Sequence, residues 1–215
     1  PDDVAYILGF LPEDRGKEIL ALMKAEDSTE VEGILKYAKD TAGAIMTTEF
    51  FSLSEDATAQ EAIRRLQQAT DAEMVFYIYV TDKDDHLVGV LSLRQLLTVP
   101  PATPLKNIMP RDVMSVAVDM DQEEVARQVA SYNLLAIPVV EKDGKLAGII
   151  TVDDVVDVIR EEATEDMLKM AGAIEEDSVS KSSSFGAAKL RLPWLFTNLV
   201  GSLISGAILW YFRLT

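Results

Sequence analysis

Along this chain the spacing of hydrophobic residues alternates between a helical and a strand period, and the alternation occurs twice at one interval. Ile45-Met46-Thr47-Thr48 opens one round and Ile108-Met109-Pro110-Arg111 opens the next, 63 positions on (108 − 45). In the first round, Thr58-Ala-Gln-Glu61 has capping-box spacing ahead of an apolar helical face of Ala62, Ile63, Leu66 and Ala69. Val75-Phe-Tyr-Ile-Tyr-Val80 predicts a strand, Asp82-Lys-Asp-Asp85 a turn, Leu87 to Leu91 a returning strand, and Ser92 to Leu97 a closing helix. The second round starts its helix at Asp121-Gln-Glu-Glu124, with Val125, Val129 and Tyr132 as the apolar face. Ala136 to Val140 is its strand, where Pro138 implies a position whose N–H no ladder needs. Asp143-Gly144 is a hairpin turn, Leu146 to Ile150 returns, and Thr151-Val-Asp-Asp154 caps the last helix.

Outside the two rounds the pattern differs. Residues 2–40 predict helices, with apolar faces of Val4, Ile7, Leu8 and Leu11, then Ile19, Leu20, Leu22 and Met23, then Val31, Ile34, Leu35 and Ala38. The last helix continues to about Gly172, and Glu176 to Ser184 reads as a polar, serine-rich connector. Residues 192–212 carry no charge, and at 1.5 Å per residue they match a hydrocarbon core about 30 Å thick. Trp194 and Trp210-Tyr211 stand where an aromatic belt belongs, and Lys181, Lys189 and Arg191 precede the span, so the positive-inside rule puts the repeats in the cytoplasm and the chain in a cell membrane. The expected domains are a partial helical segment (1–41), two repeat units (42–104 and 105–160), a connecting helix and linker (161–191) and a membrane helix (192–213). The fold class is α/β (α+β). Pro1 is no natural start, so the sequence reads as a piece of a longer chain.

Composition narrows the chemistry. The net charge of −16 argues against a nucleic-acid partner. With no cysteine there is no disulfide, thiolate zinc site or cysteine nucleophile, and His86, the lone histidine, sits in a turn. Carboxylates suited to hard cations are plentiful. Asp154, Asp157, Glu161 and Glu165 step by three, four and four and so line one helical face; Glu162, Glu165 and Asp166 cluster beside it. Like charges at that spacing repel. Two readings stand: a solvated face, or a face bridged by divalent cations to another acidic surface.

The repeat with its doubled Gly-Val-Leu-Ser (Gly89 to Ser92) and Gly-Ile-Ile-Thr (Gly148 to Thr151) resembles a tandem pair of CBS domains over roughly 42–160. The order of helical segment, CBS pair, acidic helix and membrane span resembles the MgtE family of magnesium channels. Thr151 to Asp166, Asp121 to Ala126, Tyr77-Ile-Tyr79 and Gly89 to Arg94 carry the match. The resemblance implies Mg²⁺ at Asp154, Asp157, Glu162, Glu165 and Asp166, at Asp121 and Glu123, and at Asp2. Asn133 stands where the family often has an aspartate. The resemblance also implies a homodimer, and a non-enzymatic sensor in which bound Mg²⁺ bridges acidic surfaces and shuts the pore. CBS pairs often bind adenosine nucleotides through a Ser/Thr followed three residues later by Asp. Thr151 and Asp154 satisfy that signature, Ser92 is followed instead by Gln95, and Arg94 is placed to meet a phosphate of ATP. The competing reading is an adenosine-nucleotide-sensing CBS module of another membrane transporter. A soluble enzyme is disfavoured, since no nucleophile–base pair or Gly-rich phosphate loop appears.

Overall fold

The computed structural model describes residues 1–68, 76–170 and 184–213 and divides the chain into two units, Pro1–Val158 and Ile159–Thr215. In the first unit, helices α1 (Asp2–Gly9), α2 (Glu13–Leu20), α3 (Ala25–Ile34) and α4 (Ala42–Ile45) lead into a three-stranded sheet. That sheet has β1 (Ser52–Ser54) parallel to β2 (Tyr77–Thr81) and β2 antiparallel to β3 (Leu87–Ser92), with α5 (Ala59–Leu66) and α6 (Leu93–Thr98) attached. A 3₁₀ turn at Leu105–Asn107 opens the second round: β4 (Val116–Ala117), α7 (Gln122–Tyr132), β5 (Ala136–Val140), β6 (Leu146–Thr151) and α8 (Val152–Met170), whose sheet has the same order and directions.

The caps predicted from sequence start the helices. The Thr58 hydroxyl accepts the Glu61 N–H, and the Asp121 carboxylate accepts the N–H groups of Glu123 and Glu124. Ser92 and Gln95 form a full capping box at α6. Gly144 takes φ +89 in the turn, where a side chain would be strained. Pro138 pairs with Ile149, whose own N–H and carbonyl are both bonded to Thr47, while β4 reaches only Val139 and Val140. Its missing N–H therefore costs no ladder bond. The openings of each round carry strands of three and two residues, too short for a period to announce them.

Each sheet buries one face under its helices. Leu53, Ile78, Val80 and Leu91 pack on Ala59, Ala62 and Leu96; Val116, Ile137, Val139 and Ile150 pack on Val125, Val129, Val155 and Val158. Burying one such aliphatic side chain is worth about 1.5–3 kcal/mol. The segment leading into each round is bonded to the other round. Ala42 and Gly43 donate to the carbonyls of Met120 and Val118, Gln122 donates to Asp40, and Thr47 bridges Ile149. In the mirror arrangement, Leu105 and Lys106 donate to Ala57 and Glu55, and Thr58 bridges Pro104. Glycine permits both approaches: a Cβ on Gly148 would lie 2.7 Å from the Thr47 carbonyl oxygen, and one on Gly89 would lie 2.4 Å from the Met109 sulfur. The hairpin tips are joined as well, Leu87 donating to Gly144 and Leu146 to Asp85.

Four expected faces differ; on the third helix face Val31 and Ile34 are buried but Leu35 and Ala38, beyond the end of α3, are exposed. α1 turns Ala5 and Leu8 inward onto Val31 and Ile34, leaving Ile7 and Leu11 exposed. Leu22, beyond the end of α2, is 87 % exposed, and Tyr132, in the last turn of α7, is also exposed. In each case the residue belongs to the sequence periodicity but lies outside the arc the neighbouring element covers. The strand predicted from Val75 begins in the structure at Tyr77. Ala69, Val75 and the connector read at residues 176–183 lie outside the described residues.

In the second unit α9 (Ser184–Arg213) begins before the expected span and carries Pro193 inside it, where a proline donates no backbone bond. Leu195–Phe212 is the one stretch among the described residues long and apolar enough to cross a membrane, and Leu203, Leu209 and Trp210 on it are exposed.

Gly148→Ala places its methyl against backbone and is expected to destabilise the fold by about 1–3 kcal/mol. Gly89→Ala presses on the Cβ, Cγ and sulfur of Met109 and should cost a comparable amount. Urea unfolding of the two variants beside the parent chain checks both.

Candidate cation site

The site is built at the start of α8. Strand β6 ends in buried Thr151, and the backbone then turns into the helix so that Asp154 faces back onto that threonine. The Thr151 N–H donates to Asp154 Oδ2 at 3.2 Å, and the Thr151 hydroxyl donates to the same oxygen. Two donors on one oxygen leave the other without a bond from this turn. Burial is the largest influence on Asp154 and pushes its pKa up; the Thr151 bonds oppose it; the Asp2 and Asp153 charges add to it. Asp2, at the first residue of α1, is itself half-buried. The fold thus brings a carboxylate from the helical segment within electrostatic reach of one from the second round, in a partly desolvated place. Asp2 is paired with the Pro1 ammonium at 3.4 Å.

The other expected ligands are placed as follows. Asp157 is exposed one turn along α8. Glu162 and Glu165 are partly covered and Asp166 is exposed. The acidic stretch is not free of lysine: Lys169 pairs with Glu165, and its pKa is raised first by that bond and further by Asp166 and Glu162. Asp121 is engaged as the cap of α7, and exposed Glu123 pairs with Arg127 at 3.1 Å. Asn133 ends α7 in the left-handed region at φ 51, a conformation asparagine tolerates better than most residues.

For a nucleotide, the two rounds are unequal. Thr151 and Asp154 hold the turn just described. In the first round, Gln95 Oε1 takes both the Ser92 N–H and the Ser92 hydroxyl, so a neutral amide fills the corresponding place. Arg94 beside it is exposed.

Sequence reasoning did not single out Asp82, Asp84 and His86 as a group. Their ligand atoms lie within 4.8 Å of one another. Asp82 Oδ1 accepts the N–H groups of Asp84 and His86, and Oδ2 meets His86 Nδ1 at 3.0 Å, a set that closes the turn internally.

Comparisons with known proteins bear on this arrangement. The CBS domain family matches residues 42–102 and 105–161. The magnesium transporter MgtE of Enterococcus faecalis is 44 % identical over 176 residues, covering 81 % of this chain and 38 % of the relative. That of Thermus thermophilus is 40 % identical over 190 residues, covering 87 % and 42 %. A crystal structure of the cytosolic domain of the Mg²⁺ channel MgtE in complex with ATP superposes with a TM-score of 0.71 at 42 % identity, over 73 % of this chain and 65 % of that one. The chain spans less than half the length of these MgtE relatives.

Asp154 has a raised folded pKa, so its charge is unfavourable above that pKa, and the unfavourable effect disappears as pH falls through it. Without divalent cations, Asp154→Asn is therefore expected to melt at or above the parent temperature at pH 7. The gap should shrink as pH falls through the carboxylate range, and thermal scans against pH read it.

Proposed function

Because this chain belongs to the CBS-domain family and matches MgtE magnesium transporters over most of its length, we propose that it is the Mg²⁺-sensing regulatory region of a magnesium channel or transporter. The observation that carries the reading is at Asp154: a partly buried carboxylate held by Thr151, whose ionisation is opposed by burial and by the charge of Asp2 from the helical segment. A divalent cation between them relieves both. Hard cations take carboxylate oxygens and keep several waters, which suits a site of two acids at a domain joint.

The mechanism is negative feedback. With Mg²⁺ abundant, cations bridge the acidic groups Asp2, Asp121, Glu123, Asp154, Asp157, Glu162, Glu165 and Asp166, the sensor is compact, and the pore of a homodimer is held shut. When Mg²⁺ is depleted the carboxylates repel, compact states lose population and the pore opens. The ion shifts the balance only as far as it prefers the closed state. The apolar stretch Leu195–Phe212 supplies the membrane anchor in this reading, with the CBS pair on the cytoplasmic side.

A second reading concerns ATP, favoured by the intact Thr151–Asp154 turn and by the ATP complex of the similar MgtE domain. The second round has a carboxylate to receive ribose hydroxyls, whereas Gln95 has its oxygen already committed to Ser92. At most one nucleotide per chain is expected, with Arg94 a candidate for phosphate.

The decisive measurement is thermal stability against Mg²⁺ at constant ionic strength. At about 100 times its dissociation constant, a ligand specific for the native state adds about 2.7 kcal/mol. Magnesium should raise the melting temperature where matched KCl does not, and Asp154→Asn should abolish the rise. Equal curves for the two salts would reduce the acidic groups to a solvated face and leave nucleotide sensing as the leading reading.

A further inference from the structure

A cavity of about 520 Å³ lies apart from the Thr151–Asp154 turn, where α3, the strap leading into β1 (residues 46–52) and the two hairpin tips meet. That volume is ordinary for a small-molecule site. Neither Thr151 nor Asp154 lines it; its hairpin residues Thr81, Asp85 and Lys145 belong to the tips, at the opposite end of β6 from Thr151.

Floor and mouth differ in chemistry. Ile34, Met46 and Thr81 are buried, and Tyr37 and Phe50 add two half-buried rings. Glu30, Asp85 and Lys145 are exposed, and half-buried Glu141 accepts the Tyr37 hydroxyl at 2.6 Å. Three carboxylates thus line the cavity against one ammonium, and that ammonium has Asp143 beside it at 3.6 Å. Thr48 and Tyr79 carry the two buried side-chain polar atoms without a hydrogen-bond partner among the described residues, and both belong to this place. Thr48 lines the cavity directly. Tyr79 shares the Thr81 face of β2, pairs in register with Ser52 and meets the Phe50 ring edge-on at 6.2 Å, Ser52 and Phe50 both being lining residues. An enclosed hydroxyl without a partner is costly, and a turn about χ1 offers that of Thr48 to an occupant.

This lining selects by exclusion. A phosphate, or any other anion, meets three carboxylates. A bare divalent ion needs oxygens converging at about 2.0–2.6 Å, and finds rings, a thioether and aliphatic groups between the acids. An organic ammonium ion with a short aliphatic body suits each part: its charge at the carboxylates, its methylenes on Phe50 and Tyr37 with cation–π attraction added, and an N–H for the Thr48 hydroxyl. We infer that the cavity is a binding site for a small organic amine of the diamine or polyamine class, recognised by Thr48, Phe50, Asp85 and Glu141. The site is independent of the Mg²⁺ reading, since none of these four is among the acids assigned to the metal. An occupant touches the helical segment and both hairpin tips at once, so binding ties the three together.

Isothermal titration of the full chain with 1,4-diaminobutane tests this, at fixed ionic strength and in excess MgCl₂ so that the acidic surface is already neutralised. One saturable site per chain is expected. Thr48→Val removes the hydroxyl at nearly constant shape and should weaken binding about twofold to tenfold, the scale of one neutral hydrogen bond. Thr48→Ser keeps the hydroxyl and should bind as the parent does. Asp85→Asn, which accommodates the φ of 65 at that position, should weaken binding about twofold to fivefold. Asp14→Asn, at an exposed acid of α2 outside the cavity, should leave it unchanged. No saturable heat overturns the inference and leaves the cavity to water alone. Equal losses for Asp14→Asn and Asp85→Asn overturn it too, since amines would then be condensing on the acidic surface at large. So does an unchanged affinity in a Thr48→Val chain that melts like the parent.

Discussion

The crossing of the two leading segments is the constraint from which the rest of the first unit follows. Thr47 is bonded to the edge of the second sheet, and Met109 lies on the first, each over a glycine that leaves no room for a methyl. Neither round therefore completes its own sheet environment. Their hairpin tips are tied besides, through the main-chain bonds of Leu87 and Leu146. Rigid packing of this kind lets a small change in charge at one joint be felt as a change in arrangement, since close-packed interiors transmit strain.

The charge that matters is placed by ordinary local chemistry. Thr151 orients Asp154 through two donors on one oxygen, a turn that any Ser/Thr-x-x-Asp stretch at a helix start can form. The helical segment adds the charge of Asp2, which opposes the ionisation of Asp154. Burial raises the cost of a negative charge on Asp154.

Much of this was legible from residues alone. The duplicated capping residues, the Asp143-Gly144 turn and the β-branched runs fix the order of helices and strands, because each is a local device with a local cause. The crossing was not legible, since the pairing of Thr47 with Ile149 leaves no periodic trace in either segment. The same limit applies to Ile7, Leu22 and Tyr132, which satisfy a helical face but have no neighbour to cover them. Gln95 illustrates a different gap: as a sequence position it is a missing aspartate, and as a structure it is the second half of a capping box. Asp121 was read both as a helix start and for its charge, and the structure gives it the cap; Glu123 was read for its charge alone, and the structure adds an ion pair to Arg127.

The crossed segments also order events during synthesis. Strand β3 ends at Ser92, yet the residue that covers its Gly89 is Met109, and the strap at Thr47 waits for Ile149. The amino-terminal half therefore leaves the ribosome with Gly89 bare until Met109 follows, and with the segment at Thr47 unpaired until β6 has been made. The nascent chain carries its own docking surface for its second half.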